Sequence, residues 1–317
     1  MDTPVIVLIS VIAALVVIAV PVIIMIKITM PIAKKVCRDT LVKTTPDKWG
    51  RVCSAPDNEE QLAMWQSGIK WAESNKQYIK EISITNDGLK LVGEYFDYGC
   101  DRCVIIIPGR CECLMYSYYY AQTYEKVTNI LVFDSRSHGY SQGDRSYLGF
   151  KENEDLLKWA EYAHDVLGNK EIYFHGICIG AATAVQAITL PHASKYITKF
   201  ITDGCYTTFY ETFKNHMIYD NRPVHPVIDE IRHILKKEIS VDMKKQGPIY
   251  LMDKVTIPTL FISTTQDKFS LPEKTKELYE KCGSAEKKLV WFDKGAHSHI
   301  RINNEEEYTS TILDFIG

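Results

Sequence analysis

Residues 171–190 read Glu171-Ile-Tyr-Phe-His-Gly-Ile-Cys-Ile-Gly-Ala-Ala-Thr-Ala-Val-Gln-Ala-Ile-Thr-Leu190, a strand, a sharp turn and a helix in succession. Ile172, Tyr173 and Phe174 are β-branched or aromatic and suit a pleated surface, whereas residues 181–190 are rich in helix formers and stop at Pro191. Between the two lies Gly176-Ile177-Cys178-Ile179-Gly180. A side chain forced outward on a tight strand-to-helix turn needs neighbours without a Cβ, because the backbones pass closely there. The pattern therefore presents Cys178 at a helix N-terminus, where the helix dipole and unpaired N–H groups favour the thiolate. It is the G-x-S-x-G turn with sulfur in place of oxygen. Taken alone, a pentapeptide with two glycines arises by chance and a buried cysteine is usually inert packing, so the chemistry rests on partners elsewhere in the chain.

Outward from this stretch, the strands are continuous apolar runs. Residues 104–107, 130–133, 172–174, 200–202, 259–262 and 289–292 are short and separated by helical patterns, among them 152–166, 179–190, 272–282 and 304–316. Such runs fit a parallel sheet buried on both faces. Ser270, Pro272 and Gly283 bracket the third helix with start and stop signals. Before them, Ile82 and Ile84 alternate with polar residues up to Asn86-Asp87-Gly88, and Leu89 and Leu91 resume the alternation, which predicts an antiparallel entry hairpin.

The N-terminal region has a different character. Residues 4–26 carry no charge and, at ~1.5 Å per residue, suffice to cross a ~30 Å hydrocarbon core. They lack the basic leader and small-residue cleavage site of a signal peptide and exceed its usual apolar length, which favours an uncleaved anchor over residues 1–30. Asp2 precedes the apolar run, and Lys27, Lys34, Lys35, Arg38 and Lys43 follow it. The positive-inside tendency then predicts a single-pass membrane protein whose body faces the cytoplasm. The nine cysteines agree, being odd in number, scattered and too sparse for a disulfide scaffold. Residues 31–60, polar from 36 onward and carrying Pro46 and Pro56, read as a linker. About 270 residues remain after the anchor, enough for one large α/β domain over 61–317. Within it Leu62, Trp65, Ile69 and Ala72 recur at helical spacing, a stripe expected to pack on the domain. With balanced charge, 37 Lys+Arg against 40 Asp+Glu, and no low-complexity run or evident repeat, nothing points to nucleic acid.

From about residue 60 onward the chain resembles the α/β-hydrolase family, in its serine aminopeptidase-like and lysophospholipase-like branch. The resemblance is carried, in the family's order, by Ile107-Pro-Gly-Arg-Cys111, Asp134-Ser-Arg-Ser-His-Gly-Tyr-Ser-Gln-Gly143, the turn around Cys178, Pro258-Thr-Leu-Phe-Ile-Ser-Thr-Thr-Gln-Asp267 and Gly295-Ala-His297. It implies an α/β-hydrolase fold, a mostly parallel sheet with helices on both faces and a small helical cap, here preceded by one transmembrane helix. The sequence order Cys178, Asp267, His297 is that of nucleophile, acid and base in this fold. Asp267 lies just beyond the 259–262 strand, where a carboxylate can accept from imidazole Nδ1–H and fix its tautomer; Asp203, at the end of the preceding strand, is the competing carboxylate. The family places its catalytic imidazole directly after a small residue, which selects Ala296-His297 and leaves His299 as a loop residue.

For the oxyanion, the resemblance implies the backbone N–H groups of Ile179 and Arg110, which need position more than side-chain identity. The family's usual His-Gly in the latter loop is Pro108-Gly109 here, and the Arg110 side chain is read equally as a charge at the mouth or as solvent-facing. His138 and Ser141 are expected to hold backbone. Tyr116, Tyr118, Tyr119, Tyr120 and Tyr124 are expected on a helix behind the oxyanion loop, some in the core and one or two on the acyl pocket. Cys100-x-x-Cys103 and Cys111-x-Cys113 have metal-like spacing but no paired histidines, and read as structural thiols; no cofactor or metal is expected. Residues 204–256, with Phe209, Phe213, Met217, Tyr219, Val227, Ile231 and Leu235, fall where this fold places its cap and suggest a small lid.

These readings converge on a membrane-anchored hydrolase acting on an ester, thioester or amide of a small-molecule or lipid-like substrate through an acyl-enzyme on Cys178. Close alternatives share the G-x-C-x-G turn: dienelactone hydrolases, and polyhydroxyalkanoate synthases that pass the acyl group to an alcohol. A catalytically silent, membrane-tethered interaction module is the alternative of another class, motivated by the Ser-to-Cys and His-to-Pro departures.

Overall fold

In the computed structural model, which describes residues 3–193 and 195–317, the expected hairpin is β1 (Ile79–Asn86) paired antiparallel with β2 (Leu89–Phe96), Asn86 opposite Leu89. Asp87 and Gly88 both have positive φ, +52° and +73°, the turn whose twist matches the flanking strands. The six apolar runs become β3 (Arg102–Ile107), β4 (Asn129–Phe133), β5 (Glu171–Ile177), β6 (Ile197–Asp203), β7 (Thr259–Thr264) and β8 (Lys287–Phe292). The sheet order is β1-β2-β4-β3-β5-β6-β7-β8. β2 is antiparallel to β1 and β4, and every later pairing is parallel.

Each central strand feeds two cores by its period of two. Ile105, Leu131, Phe174 and Phe200 point into a layer with α4 (Glu152–Asp165), α5 (Ile179–Ile188) and α8 (Pro272–Lys281). Val104, Ile106, Val132 and Ile201 point into the opposite layer with α2 (Glu59–Ser74), α3 (Leu114–Ala121) and α10 (Glu305–Ile316), the short α9 (Ile300–Asn303) lying just before the last. Both faces are apolar because both are covered, which is why the strands show no polar alternation. The α2 face against α3 centres on Met64, Gly68, Trp71 and Ala72; the expected stripe is rotated, with Leu62, Trp65 and Ile69 at its partly buried margin. All five tyrosines of residues 116–124 are buried.

The N-terminal helix α1 (Thr3–Leu41) is longer than the anchor read from the sequence. Its apolar part is fully exposed, whereas Ala33, Cys37 and Leu41 are buried. This i, i+4, i+8 stripe packs α1 on the cap, where Thr29 Oγ1 donates to Glu230 Oε1 at 2.7 Å. The helix end is tied down as well: Lys48 Nζ donates to the Asp39 carbonyl at 2.7 Å, Lys43 N–H to Asp144 O at 2.7 Å, and Ser146 N–H to Leu41 O at 2.8 Å. Residues 31–60 are thus helical to Leu41 and docked beyond it, with Trp49 stacked on His138 at 4.6 Å and Arg51 donating to Asp134 at 3.0 Å. The polar residues between the three docking positions concealed the stripe. Residues 204–256, where a cap is expected, hold two helices, α6 (Phe209–Tyr219) and α7 (Val227–Ile239), and α7 is the one that holds α1.

Candidate active site

Cys178 stands on the turn between β5 and α5 with φ +53° and ψ −112°, a conformation that side-chain-bearing residues rarely adopt. The flanking glycines are compulsory. A Cβ on Gly176 would lie 2.5 Å from Ala181 Cα, and one on Gly180 only 2.2 Å from the Ile107 carbonyl oxygen. The turn is held from below by Cys178 N–H donating to Asp203 O at 2.8 Å.

Asp267, buried after β7, accepts at one oxygen from the Phe269 and Ser270 N–H groups, each at 2.8 Å, and faces His297 Nδ1 with the other at 2.7 Å. Its position is therefore over-determined by backbone donors, and the imidazole is oriented from a rigid carboxylate. The opposite ring edge, Nε2, is buried and makes no hydrogen bond among the described residues. Burial alone would push the His297 imidazole down, but the Asp267 carboxylate and the Cys178 sulfur hold it well above its ordinary range. Gly204, at φ +65°, lies flat against the ring: a Cβ there would come within 3.1 Å of His297 Cε1. Asp203, the competing carboxylate, is fully buried and accepts from Tyr308 Oη at 2.8 Å instead of from His297. Tyr308 and Tyr124 flank His175 at 3.1 and 3.0 Å, so these groups form one buried network beneath the turn. Burial raises the Asp203 carboxyl to about 7. His299 donates or accepts only locally, with Nδ1 2.8 Å from the His297 carbonyl oxygen.

The N–H groups of Arg110 and Ile179 make no backbone hydrogen bond among the described residues, and both residues line one narrow cavity with Pro108, Gly109 and Gly180. The Arg110 guanidinium bears on the cap: burial, then the charges of Arg110 and His297, lower His216 to about 3. Its ring stacks on Phe269 at 3.8 Å, and Phe269 meets His297 edge-on at 5.6 Å. Sequence reading missed Glu112, whose carboxylate accepts from Gly109 N–H at 2.7 Å and so braces the loop after β3 from within. Burial raises it to about 7, with the Gly109 bond and His297 opposing. No motif announces such a residue, because its role comes from the loop closing back on itself. Asp134 is a second brace, accepting from Leu114 N–H at 2.8 Å and Tyr140 N–H at 2.9 Å, while Ser141 Oγ donates to Asp134 O at 2.7 Å. His138 Nδ1 is 3.0 Å from Arg136 O, so His138 and Ser141 both hold backbone. Cys103 and Cys113 are fully buried; Cys100 and Cys111 are partly buried.

An eight-stranded, mostly parallel sheet in this order, with helices on both faces and a sharp residue at the β5–α5 turn, is the α/β-hydrolase fold. The Pyrococcus furiosus esterase Pf2001 shares it with a TM-score of 0.63 at 22% identity, over 77% of this chain and 94% of that one. The family described as "Serine aminopeptidase, S33" matches residues 250–306, the stretch holding Asp267 and His297. In sequence the chain is 27% identical to the uncharacterized protein YqkD of Bacillus subtilis, over 59% of this chain and 62% of that protein. It is 25% identical to an uncharacterized membrane protein of Saccharomyces cerevisiae, over 59% of this chain and 60% of that protein. The chain thus spans about three fifths of the length of the curated relatives it matches.

Proposed function

We propose that this chain is a hydrolase that cleaves an ester, thioester or amide through a Cys178–His297–Asp267 triad and an acyl-enzyme. The observation that carries the reading is the 2.7 Å Asp267–His297 contact, which turns the buried, unpartnered Nε2 edge away from the carboxylate, in an imidazole that the charge of Cys178 on its strained turn influences. In this mechanism His297 takes the Cys178 proton, and the thiolate attacks the acyl carbon. The Ile179 and Arg110 N–H groups receive the developing oxyanion, and the intermediate collapses as His297 protonates the leaving group. Water, deprotonated by His297, then releases the acid and restores the thiol. Asp267 accepts from Nδ1–H and so keeps Nδ1 the protonated nitrogen. The substrate is a small-molecule or lipid-like acyl compound. The likeness to an esterase and to the S33 family supports this chemistry class.

The same reading makes α1 a membrane span. It contains a long apolar stretch that is wholly exposed, and such a surface is not sustained in water. Lys27, Lys34, Lys35 and Arg38 beyond the apolar run set the body in the cytoplasm; digestion of the body by protease added to intact cells would reverse that orientation.

The decisive test of the nucleophile is iodoacetamide labelling of the full-length protein at neutral pH, mapped by mass spectrometry. Cys178 is expected to be alkylated first in the wild type and to lose that priority in His297→Ala, with Cys178→Ser folded, unlabelled there and nearly inactive. Preferential labelling of Cys111 in both proteins would sink the thiolate mechanism.

A further inference from the structure

The mouth beside the catalytic imidazole and the membrane anchor meet at one corner of the molecule. A depression lined by Tyr219, Gln266, Lys268, Phe269, Ala296 and His297 opens at the C-terminal end of α6. Tyr219 closes that helix and packs edge-on against Phe269 at 5.2 Å. Ile218 and Tyr219 are 54% and 59% exposed, the only two consecutive large apolar residues so exposed outside α1 among the described residues. The chain then turns through residues 220–226 into α7, whose first turn is fastened to α1 by Thr29 Oγ1 on Glu230. Further along, Glu238 pairs with Arg145 at 2.8 Å, and Arg145 bridges to Val42 at the end of α1. The two helices therefore run parallel, and the N-terminal end of α7 is the end nearer the apolar segment.

The distances are short. Thr29 lies three residues beyond Ile26, the last residue of the apolar run, or ~4.5 Å of helix rise. The headgroup layer on one side of a bilayer is roughly 5–8 Å deep. A helix that leaves the hydrocarbon at Ile26 thus holds the α6–α7 corner at headgroup level. No flexible linker intervenes, because α1 is continuous to Leu41 and docked along α7.

Resting on the reading of α1 as a membrane span, we propose that the α6–α7 corner, with Ile218 and Tyr219 foremost, is a bilayer-docking surface and that the mouth at His297 opens onto the lipid headgroup layer. The occupant is the lipid surface itself. Ile218 and Tyr219 supply the apolar and amphipathic contacts that seat at such an interface. Acyl substrates then reach Cys178 laterally from the membrane, past Tyr219 and Phe269.

The test uses the full-length protein in phosphatidylcholine nanodiscs in which some lipid carries a diazirine close to the headgroup. Photolysis is expected to place lipid adducts on the peptide containing Ile218 and Tyr219 as well as on α1, but not on that containing the equally exposed Val166. Adducts confined to α1, or cross-links from this peptide to a second copy or another protein, overturn the proposal. In a second arm Ile218→Glu is compared with wild type on an ester held in the bilayer and on a short water-soluble ester. At least a fivefold fall on the first with no change on the second is expected; an equal effect on both overturns the proposal. If wild type cleaves neither ester, the hydrolase reading fails while the adduct pattern still decides the docking surface.

Discussion

At the residue scale the site depends on which carboxylate the imidazole faces. Asp203 ends β6, Asp267 lies three residues beyond β7, and both couple to His297, but only Asp267 has an oxygen at hydrogen-bond distance from Nδ1. Asp267→Asn is expected to lower kcat by two to four orders of magnitude, since loss of a triad acid costs on the order of 10⁴, while Asp203→Asn retains activity within about tenfold. Steady-state kinetics on one acyl substrate checks both; the reverse pattern transfers the role to Asp203. Sequence reading could rank the two only through the family's order, because both carry the same local signal, a carboxylate after an apolar run. Gly204 was out of reach for a related reason: nothing in the sequence says that an imidazole from residue 297 lies against it.

At the scale of elements, the joint between α1 and α7 is a polar contact inside an apolar seam. Glu230 is 7% exposed, one carboxylate oxygen accepts from Thr29, and the other has no partner among the described residues. Thr29→Ala removes the donor and leaves a buried carboxylate without one. It is expected to destabilise the protein by about 1–3 kcal/mol, seen as a lower Tm in detergent, whereas Thr29→Ser keeps the hydroxyl and stays within about 0.5 kcal/mol of wild type. Equal Tm values for Thr29→Ala and wild type would show that the seam is held by Ala33, Cys37 and Leu41 alone. The strands were legible because each is a run of apolar residues between turn signals. The docked half of α1 was not, since three small or medium apolar residues every four positions are diluted by lysines and arginine that face away.

Across the whole molecule, buried ionisable groups set how stability varies with pH. Burial lowers His138 to about 4 and His175 to about 3, so the folded state keeps them neutral while the unfolded chain protonates them below pH 6.5. Their contribution is present above pH 6.5 and is lost as pH falls toward their folded values. Glu112 and Asp203 are raised to about 7, so the folded state binds their protons more tightly, and the stability they contribute is lost as pH rises toward 7. The two sets oppose each other between about pH 4 and 6.5, and a single variant separates them. His138→Gln is expected to remove a loss of about 1.4 kcal/mol per pH unit below 6.5, read as a smaller drop in Tm than wild type between pH 6.5 and 4.5. Parallel Tm curves for the two proteins would mean that His138 is protonated in the folded state.

The sequence by itself determined the hairpin, the parallel strands, the turn that presents Cys178 and the apolar N-terminal stretch, because each is written in local spacing: period two, period 3.6, paired glycines, or an unbroken run without charge. Tertiary structure decided that Asp267, ranked above Asp203 only by the family's order, is the one that reaches His297, that Glu112 braces the loop at Gly109, and that α1 packs along α7. The first and last of these contacts join residues far apart in the chain, Asp267 with His297 and Thr29 with Glu230, on separate loops and helices. Nothing in the local sequence encodes the distance between such elements; it is set by the order in which the sheet stacks them.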